Sequence, residues 1–252
     1  MKKYILIISL LFLPKMICAQ RTDITEQCLD SIKKIYSCDR AHRFWNINNL
    51  ICVEKEHKYG VIDKYGNIIV PIQYDFIHAE EIPILSAKID GKYGFLDSIG
   101  TILIPFRYED VKIFRDRQVT SAKLNGKWGL INQNDSVILN FDYEDATIYT
   151  GINIFLMMIN NKWQLFNENG KQIIQNKIDK ISISFLSPGL FIRENNKWGK
   201  IDEFGNIIIP IKYEYINEVT VDRTVQAKRD GRYFLLENNG SETEIVGVSQ
   251  GK

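Results

Sequence analysis

Histidine and proline are scarce in this chain, with three and six copies in 252 residues. His42, His57 and His78 share no ligand spacing with the cysteines, which argues against a zinc site. Charge of one sign is missing too: 32 basic side chains face 31 acidic ones, and the signs alternate along the chain. Without clustered Lys and Arg to displace counterions from phosphates, nucleic acid is excluded as a partner, and so is a polybasic membrane patch. The motifs G-x-S-x-G, H-E-x-x-H and the phosphate-binding glycine loop are absent, so catalysis finds no signature. Neither is there an apolar run long enough to span a bilayer. The longest, Tyr4–Leu13, follows Lys2 and Lys3 and precedes Ala19, the pattern of a cleaved secretory leader over residues 1–19. The expected mature chain is exported to the periplasm or the cell exterior and carries no transmembrane segment.

Four cysteines are present, and removal of the leader would leave Cys28, Cys38 and Cys52. An exported chain meets oxidising conditions, so one disulfide among these three is possible, with the pairing open. On one continuous helix Cys28 and Cys38 would stand about 15 Å apart at 1.5 Å per residue, beyond disulfide reach. A bridge to Cys52, a helix ending before Cys38, or three unpaired thiols are the alternatives.

What the sequence does have is repetition. An aromatic residue follows Lys or Arg at Tyr59, Tyr93, Trp128, Trp163, Trp198 and Tyr233, in steps of 34, 35, 35, 35 and 35. A turn glycine recurs at Gly66, Gly100, Gly170, Gly205 and Gly240, with Asp135 in its place once. Tyr followed by an acid recurs at Tyr74, Tyr108, Tyr143 and Tyr213. Three landmarks on one period define a structural unit.

Each unit reads as β-structure. Asp90-Gly91, Asn125-Gly126, Asn160-Asn161, Asn195-Asn196 and Asp230-Gly231 sit where a two-residue type I′ hairpin turn needs positive φ at both positions. Asp63, Asp97 and Asp202, with Asn132, Asn167 and Glu237, occupy a second turn closed by glycine and are expected to bond their own backbone. β-branched runs such as Thr101–Ile104 give a third strand, which Pro71, Pro105 and Pro210 are expected to end. One meander of about three strands has too little interior to fold alone, so the recurring aromatics are expected to be packing residues hidden by stacking. The glycine after each aromatic would let a neighbouring backbone approach, and the lysine before it would lay its stem over the ring.

The pattern of G-K-W-G, an apolar pair, Asp, a turn Gly, an apolar run, Pro and Tyr-acid resembles the WG (KWG) repeat of bacterial proteins over roughly residues 50–246. That resemblance implies a repeat-built, exported or surface-associated polypeptide and names no ligand. The fourth unit departs from it at Gln164, Gln175 and Ile178, and the sixth, with Phe234 in place of glycine, wears out as a terminal cap does.

The expected fold is an all-β repeat array of about six antiparallel meanders, open and twisted, with a six-bladed propeller-like ring as the alternative. The open form is favoured because 35 residues is lean for four strands. Residues 49–248 hold the array and residues 20–48 a helical cap. In that cap Ile24, Cys28, Leu29, Ile32, Ile35 and Tyr36 form one apolar stripe over a helix from Asp23 to Ser37, capped by Thr22 or Asp23. The expected function is non-catalytic and free of cofactors and metals: a binding or scaffolding surface for a protein partner. The alternative is a cell-envelope glycan-binding module that stacks sugars on the repeat aromatics.

Overall fold

The computed structural model describes residues 24–44, 47, 49–80, 84–112, 114, 119–148, 154–184, 189–219, 224–237 and 240–245. The expected leader and the expected caps Thr22 and Asp23 lie outside them. The described residues form one helix, α1 (Glu26–Tyr36), and 24 strands in six four-stranded antiparallel sheets. The chain parts into two compact units, residues 1–125 with 131–137 and residues 126–130 with 138–252. Among the described residues no helix is long and apolar enough to cross a membrane.

The second sheet shows the plan: β5 (Phe76–Ala79), β6 (Ile84–Ile89), β7 (Lys92–Asp97) and β8 (Ile102–Tyr108) pair in chain order. Four strands fit in 35 residues because the opening strand is short and follows directly on the Tyr-acid pair of the unit before. Sheets are thus offset from sequence units by one strand. The first sheet takes its opening strand, β1 (Arg40–Arg43), from the stretch assigned above to the helical cap.

The β6–β7 hairpin turns on Asp90 (φ 50°) and Gly91 (φ 77°), and the equivalent pairs behave alike. In the first unit Glu56 and His57 adopt φ 50° and 60° without glycine or asparagine. This register brings Tyr93 opposite Tyr108 and Phe95 opposite Ile104, with one residue between them on β7 and three on β8. Pro105 lies in that bulge, inside the strand it was expected to end. Proline is tolerated because the bulged residue owes the ladder no N–H. Gly94 is the other half of the device: a Cβ there would lie 2.7 Å from the Ile104 carbonyl oxygen. Gly60, Gly129 and Gly199 meet the same crowding from their own partner strands, which is the close approach expected of the WG glycine.

The second turns are Asx turns, as expected. Asp97 Oδ1 accepts from the Ile99 and Thr101 N–H groups, and Asp63, Asn132, Asn167 and Asp202 do the same in their units. The closing glycine sits against the preceding unit. A Cβ on Gly100 would fall 2.3 Å from the Ile69 carbonyl oxygen, and one on Gly240 2.2 Å from that of Ile208.

For Gly66, which has no preceding repeat, α1 supplies the contact: the Tyr36 hydroxyl donates to the Gly66 carbonyl. Ile24, Cys28, Leu29 and Ile32 pack with Ile51, Val53 and Ile62 of the first sheet, so the helix does cover the array's first face. Its N-cap is Thr25, whose side chain accepts from the Cys28 N–H, and its C-cap is Ser37. Cys28 is disulfide-bonded, while Cys38 and Cys52 are free and buried. The pairings considered among the three therefore do not form. Cys52 alternates to the sheet face opposite Ile51 and Val53, away from the helix. Burial pushes its thiol up to about 12.

Candidate functional site

The anchors are placed less deeply than expected. Trp128 is buried, but Tyr59, Tyr93, Trp163, Trp198 and Tyr233 are half-buried. The deeper aromatic is the tyrosine of the Tyr-acid pair: Tyr74, Tyr108 and Tyr213 are buried and belong to the core. The Tyr108 hydroxyl donates to Asp135 of the next unit at 2.5 Å, and that of Tyr213 donates to Glu242. Burial, helped by Asp135, pushes the Tyr108 phenol up to about 12.

At Tyr93, Trp198 and Tyr233 the cation over the ring is not the basic residue that precedes it. That place is taken by the residue opposite the anchor on the neighbouring strand: Lys88 over Tyr93 at 4.9 Å, Arg193 over Trp198 at 5.7 Å and Lys228 over Tyr233 at 5.4 Å. Instead, the preceding lysine reaches the acid 17 residues on. Lys58 meets Asp75 at 2.5 Å, Lys92 meets Glu109 at 3.8 Å, Lys197 meets Glu214 at 3.4 Å, and Lys162 pairs with Asp179. The acid also accepts backbone N–H groups from the next hairpin turn. Glu144 receives Asn160 and Asn161 at 3.2 and 3.3 Å, and Glu214 receives Asp230 at 3.3 Å. One carboxylate thus ties the anchor strand of its own sheet to the turn of the next. Lys58 holds the Asp75 carboxyl below the usual range, and Lys162 does so for Asp179.

These features recur, so none singles out a ligand site. Repetition also acts as an internal control, because a residue that breaks the pattern is not needed by it. Two constellations break it. The first is a pocket of about 230 Å³ on the second sheet, lined by Phe76, His78, Glu80, Ser86, Tyr93, Val111 and Lys112. The second is Lys200 on β19 (Lys197–Ile201), fully buried where other units have Val61, Phe95, Leu130, Leu165 or Leu235. Its ammonium donates to Ser184 Oγ at 2.6 Å and lies 3.7 Å from Glu218 on β21 (Tyr215–Val219), and the Ser184 hydroxyl donates to Glu218. Glu218 stands where other units have Ala79, Ile148 and Ile183. The ammonium and the hydroxyl are both engaged by Glu218, so the cluster is built as a buried ion pair and not as an activated nucleophile. Burial holds the Lys200 ammonium below its ordinary pKa, with Glu218 opposing.

Among curated proteins none matches the sequence. Solved structures are similar at low identity. A eukaryotic initiation factor is 10% identical with a TM-score of 0.44, covering 82% of this chain and 76% of the other. PorZ, a bacterial surface component of the type-IX secretion system of Porphyromonas gingivalis, is 10% identical with a TM-score of 0.36, covering 82% of this chain and 32% of PorZ. Hsv2 of Kluyveromyces lactis is 7% identical with a TM-score of 0.39, covering 78% of this chain and 73% of the other. The family described as WG containing repeat matches residues 59–93, 93–128, 128–163 and 198–220, just over half of the chain and in register with the anchors. The chain therefore belongs to the WG-repeat family.

Proposed function

We propose that this chain is an exported, non-catalytic repeat protein that presents a binding surface to a protein partner. The observation that carries the reading is apolar exposure at equivalent positions of the second turn. Ile99 is 74% exposed and Phe204 72%, and Tyr65 is exposed at the same turn position. Three residues further on, Ile68, Ile102, Val137 and Ile207 are exposed at the start of the following strand. Within the first unit the sites adjoin, because the turn holding Ile99 packs on the strand holding Ile68 through Gly100 and Ile69. Repeated exposure of large apolar side chains marks an interaction surface. Most of these are branched aliphatics, which offer a protein an apolar contact but give a sugar no ring to stack on.

The anchors support a glycan less well, since Trp128 is buried and cations cover Tyr93, Trp198 and Tyr233. The absence of catalysis is supported by the repeating acids, which are bound into their own turns. Export is supported by the leader pattern. A photo-crosslinking residue placed at Ile99, and separately at Ile102, tests the reading in cells. A single discrete protein adduct from both sites, abolished by an Ile68→Asp variant that keeps its circular dichroism, is the expected result. Adducts to glycan alone, or none, would refute it.

A further inference from the structure

The non-repeating pocket lies on the second sheet, within the compact unit of residues 1–125 and 131–137. Phe76 and His78 come from β5, Glu80 follows it, Ser86 is on β6, Tyr93 on β7, and Lys112 follows β9 (Asp110–Val111). The pairings Phe76–Lys88, His78–Ser86 and Lys88–Tyr93 place Phe76, His78, Ser86 and Tyr93 on one face of the second sheet. Ser86 is small where Leu156 and Phe191 stand in two other sheets, as Cys52 and Ser121 also are in the first and third, and Glu80 stands where Phe44 and Phe114 do. The aromatic ring at 76 is matched only by Tyr215 and the carboxylate at 80 by no other unit, whereas the imidazole of His78 has a counterpart in His42, which pairs with Cys52 as His78 pairs with Ser86. Stacking of the repeats requires neither Phe76 nor Glu80.

The chemistry narrows the occupant. Phe76 is 41% exposed and meets Tyr93 edge to face at 6.2 Å, and the His78 ring is stacked on Phe76, so aromatic surface forms the wall. Glu80 is only 1% exposed and offers acceptors, Lys112 offers donors, and His78 and Ser86 can do either. Among the lining residues one carboxylate and one ammonium balance, and the neighbouring Lys88 ammonium is engaged over the Tyr93 ring, so charge favours neither an anion nor a cation. A ligand with an apolar C–H face and hydroxyls on its rim satisfies both wall and polar groups. The geometry points to a binding site for one pyranose residue of a glycan, seated against Phe76 with its hydroxyls bonded by Glu80, His78 and Lys112. The volume limits it to about one ring, so the sugar is a chain end or a branch.

The test uses the full mature chain with the methyl glycosides of glucose, galactose and N-acetylglucosamine, chitotriose, and tetramethylammonium as a compact cation. Saturation-transfer NMR and titration calorimetry read binding. At least one glycoside is expected to bind, with affinity reduced tenfold or more by Phe76→Ala and by Glu80→Gln. Ile99→Asp is expected to leave binding unchanged, which separates this site from the apolar turns. Phe76 is surface-exposed and Glu80→Gln is isosteric, so melting temperature should hold in both. The proposal is overturned if no sugar binds, if the variants bind as the parent does, or if tetramethylammonium alone shows Phe76-dependent binding.

Discussion

Replacing Glu218 by isoleucine, the residue found at its position in the third and fourth units, tests what the buried ion pair contributes. Lys200 is fully buried and the Glu218 side chain is 6% exposed. Removing the carboxylate leaves the ammonium in the interior with Ser184 as its hydroxyl neighbour, and breaking a buried pair in this way costs about 3–5 kcal/mol. For a chain of this size that corresponds to a fall in melting temperature of roughly 10 °C, at about 2–4 °C per kcal/mol. The double variant Lys200→Leu with Glu218→Ile restores the residues of the other units and should recover the parent's stability or exceed it, by about 1–4 kcal/mol where such pairs become well-packed apolar groups. Trp198, two residues from Lys200 on the same strand, reports the transition by its fluorescence in urea. The pH dependence has a defined sign. Lys200 binds its proton less readily folded than unfolded, so its burial penalty is full below its lowered pKa and relaxes as pH rises from there towards 10.5. In Glu218→Ile that gain should begin at lower pH, because the opposing carboxylate is gone. A double variant as unstable as Glu218→Ile would refute the reasoning, since the loss would then come from packing at position 218.

Two further perturbations separate local strain from contact between units. Gly91→Ala and Gly100→Ala both place a side chain at positive φ, 77° and 86°, but nothing lies within 4 Å of a Cβ at 91 whereas Ile69 oxygen lies 2.3 Å away at 100. Gly91→Ala should cost about 1–2 kcal/mol and Gly100→Ala roughly 2 kcal/mol more, measured by urea unfolding; equal losses would contradict the packing described. Glu242 is held down to about 2 by the Arg229 fork, at 2.9 Å on each arm, and by Tyr213. A lowered carboxylate stabilises above its unfolded pKa and loses that contribution as pH falls through the folded one. Stability should therefore fall between pH 4.5 and 2, by about 1 kcal/mol for this partly exposed pair, with a matching drop in melting temperature, and Glu242→Gln should flatten that drop.

Much of the fold was legible because period and turn chemistry are local. Asp90-Gly91 dictates a hairpin by itself, Asp97 folds back on its own backbone, and Gly94 marks a close approach wherever a strand crosses it. The opening strand of each sheet was hidden because Phe76–Ala79 pairs with residues of the following unit, so counting strands within one unit stopped at three. Pro105 was misread because proline ends a ladder only where its missing N–H is needed, and the bulge removes that need. Lys58 and Asp75 were legible in principle: a basic residue and an acid 17 apart recur in register, which is the signature of a pair. Depth was harder to read. Nothing in a repeating Trp or Tyr says whether it lies under the next sheet, as Tyr108 does, or half out of it, as Trp198 does. Lys200 and Glu218 could have been found by aligning the units and asking where an apolar position turns charged. The pocket residues yield to the same question only once the structure shows that Phe76, His78 and Glu80 meet.

Amide hydrogen exchange across the whole chain tests the central claim most directly, that six equivalent sheets share one plan set by the 35-residue period. Protection should peak at the strand after each hairpin turn, on Lys58–Asp63, Lys92–Asp97, Lys127–Asn132, Lys162–Phe166, Lys197–Ile201 and Arg232–Leu236, with the turn amides between them exchanging fast. Protection that ignores this period, or slow exchange running continuously through the Asp90-Gly91 and Asn195-Asn196 turns, would contradict it.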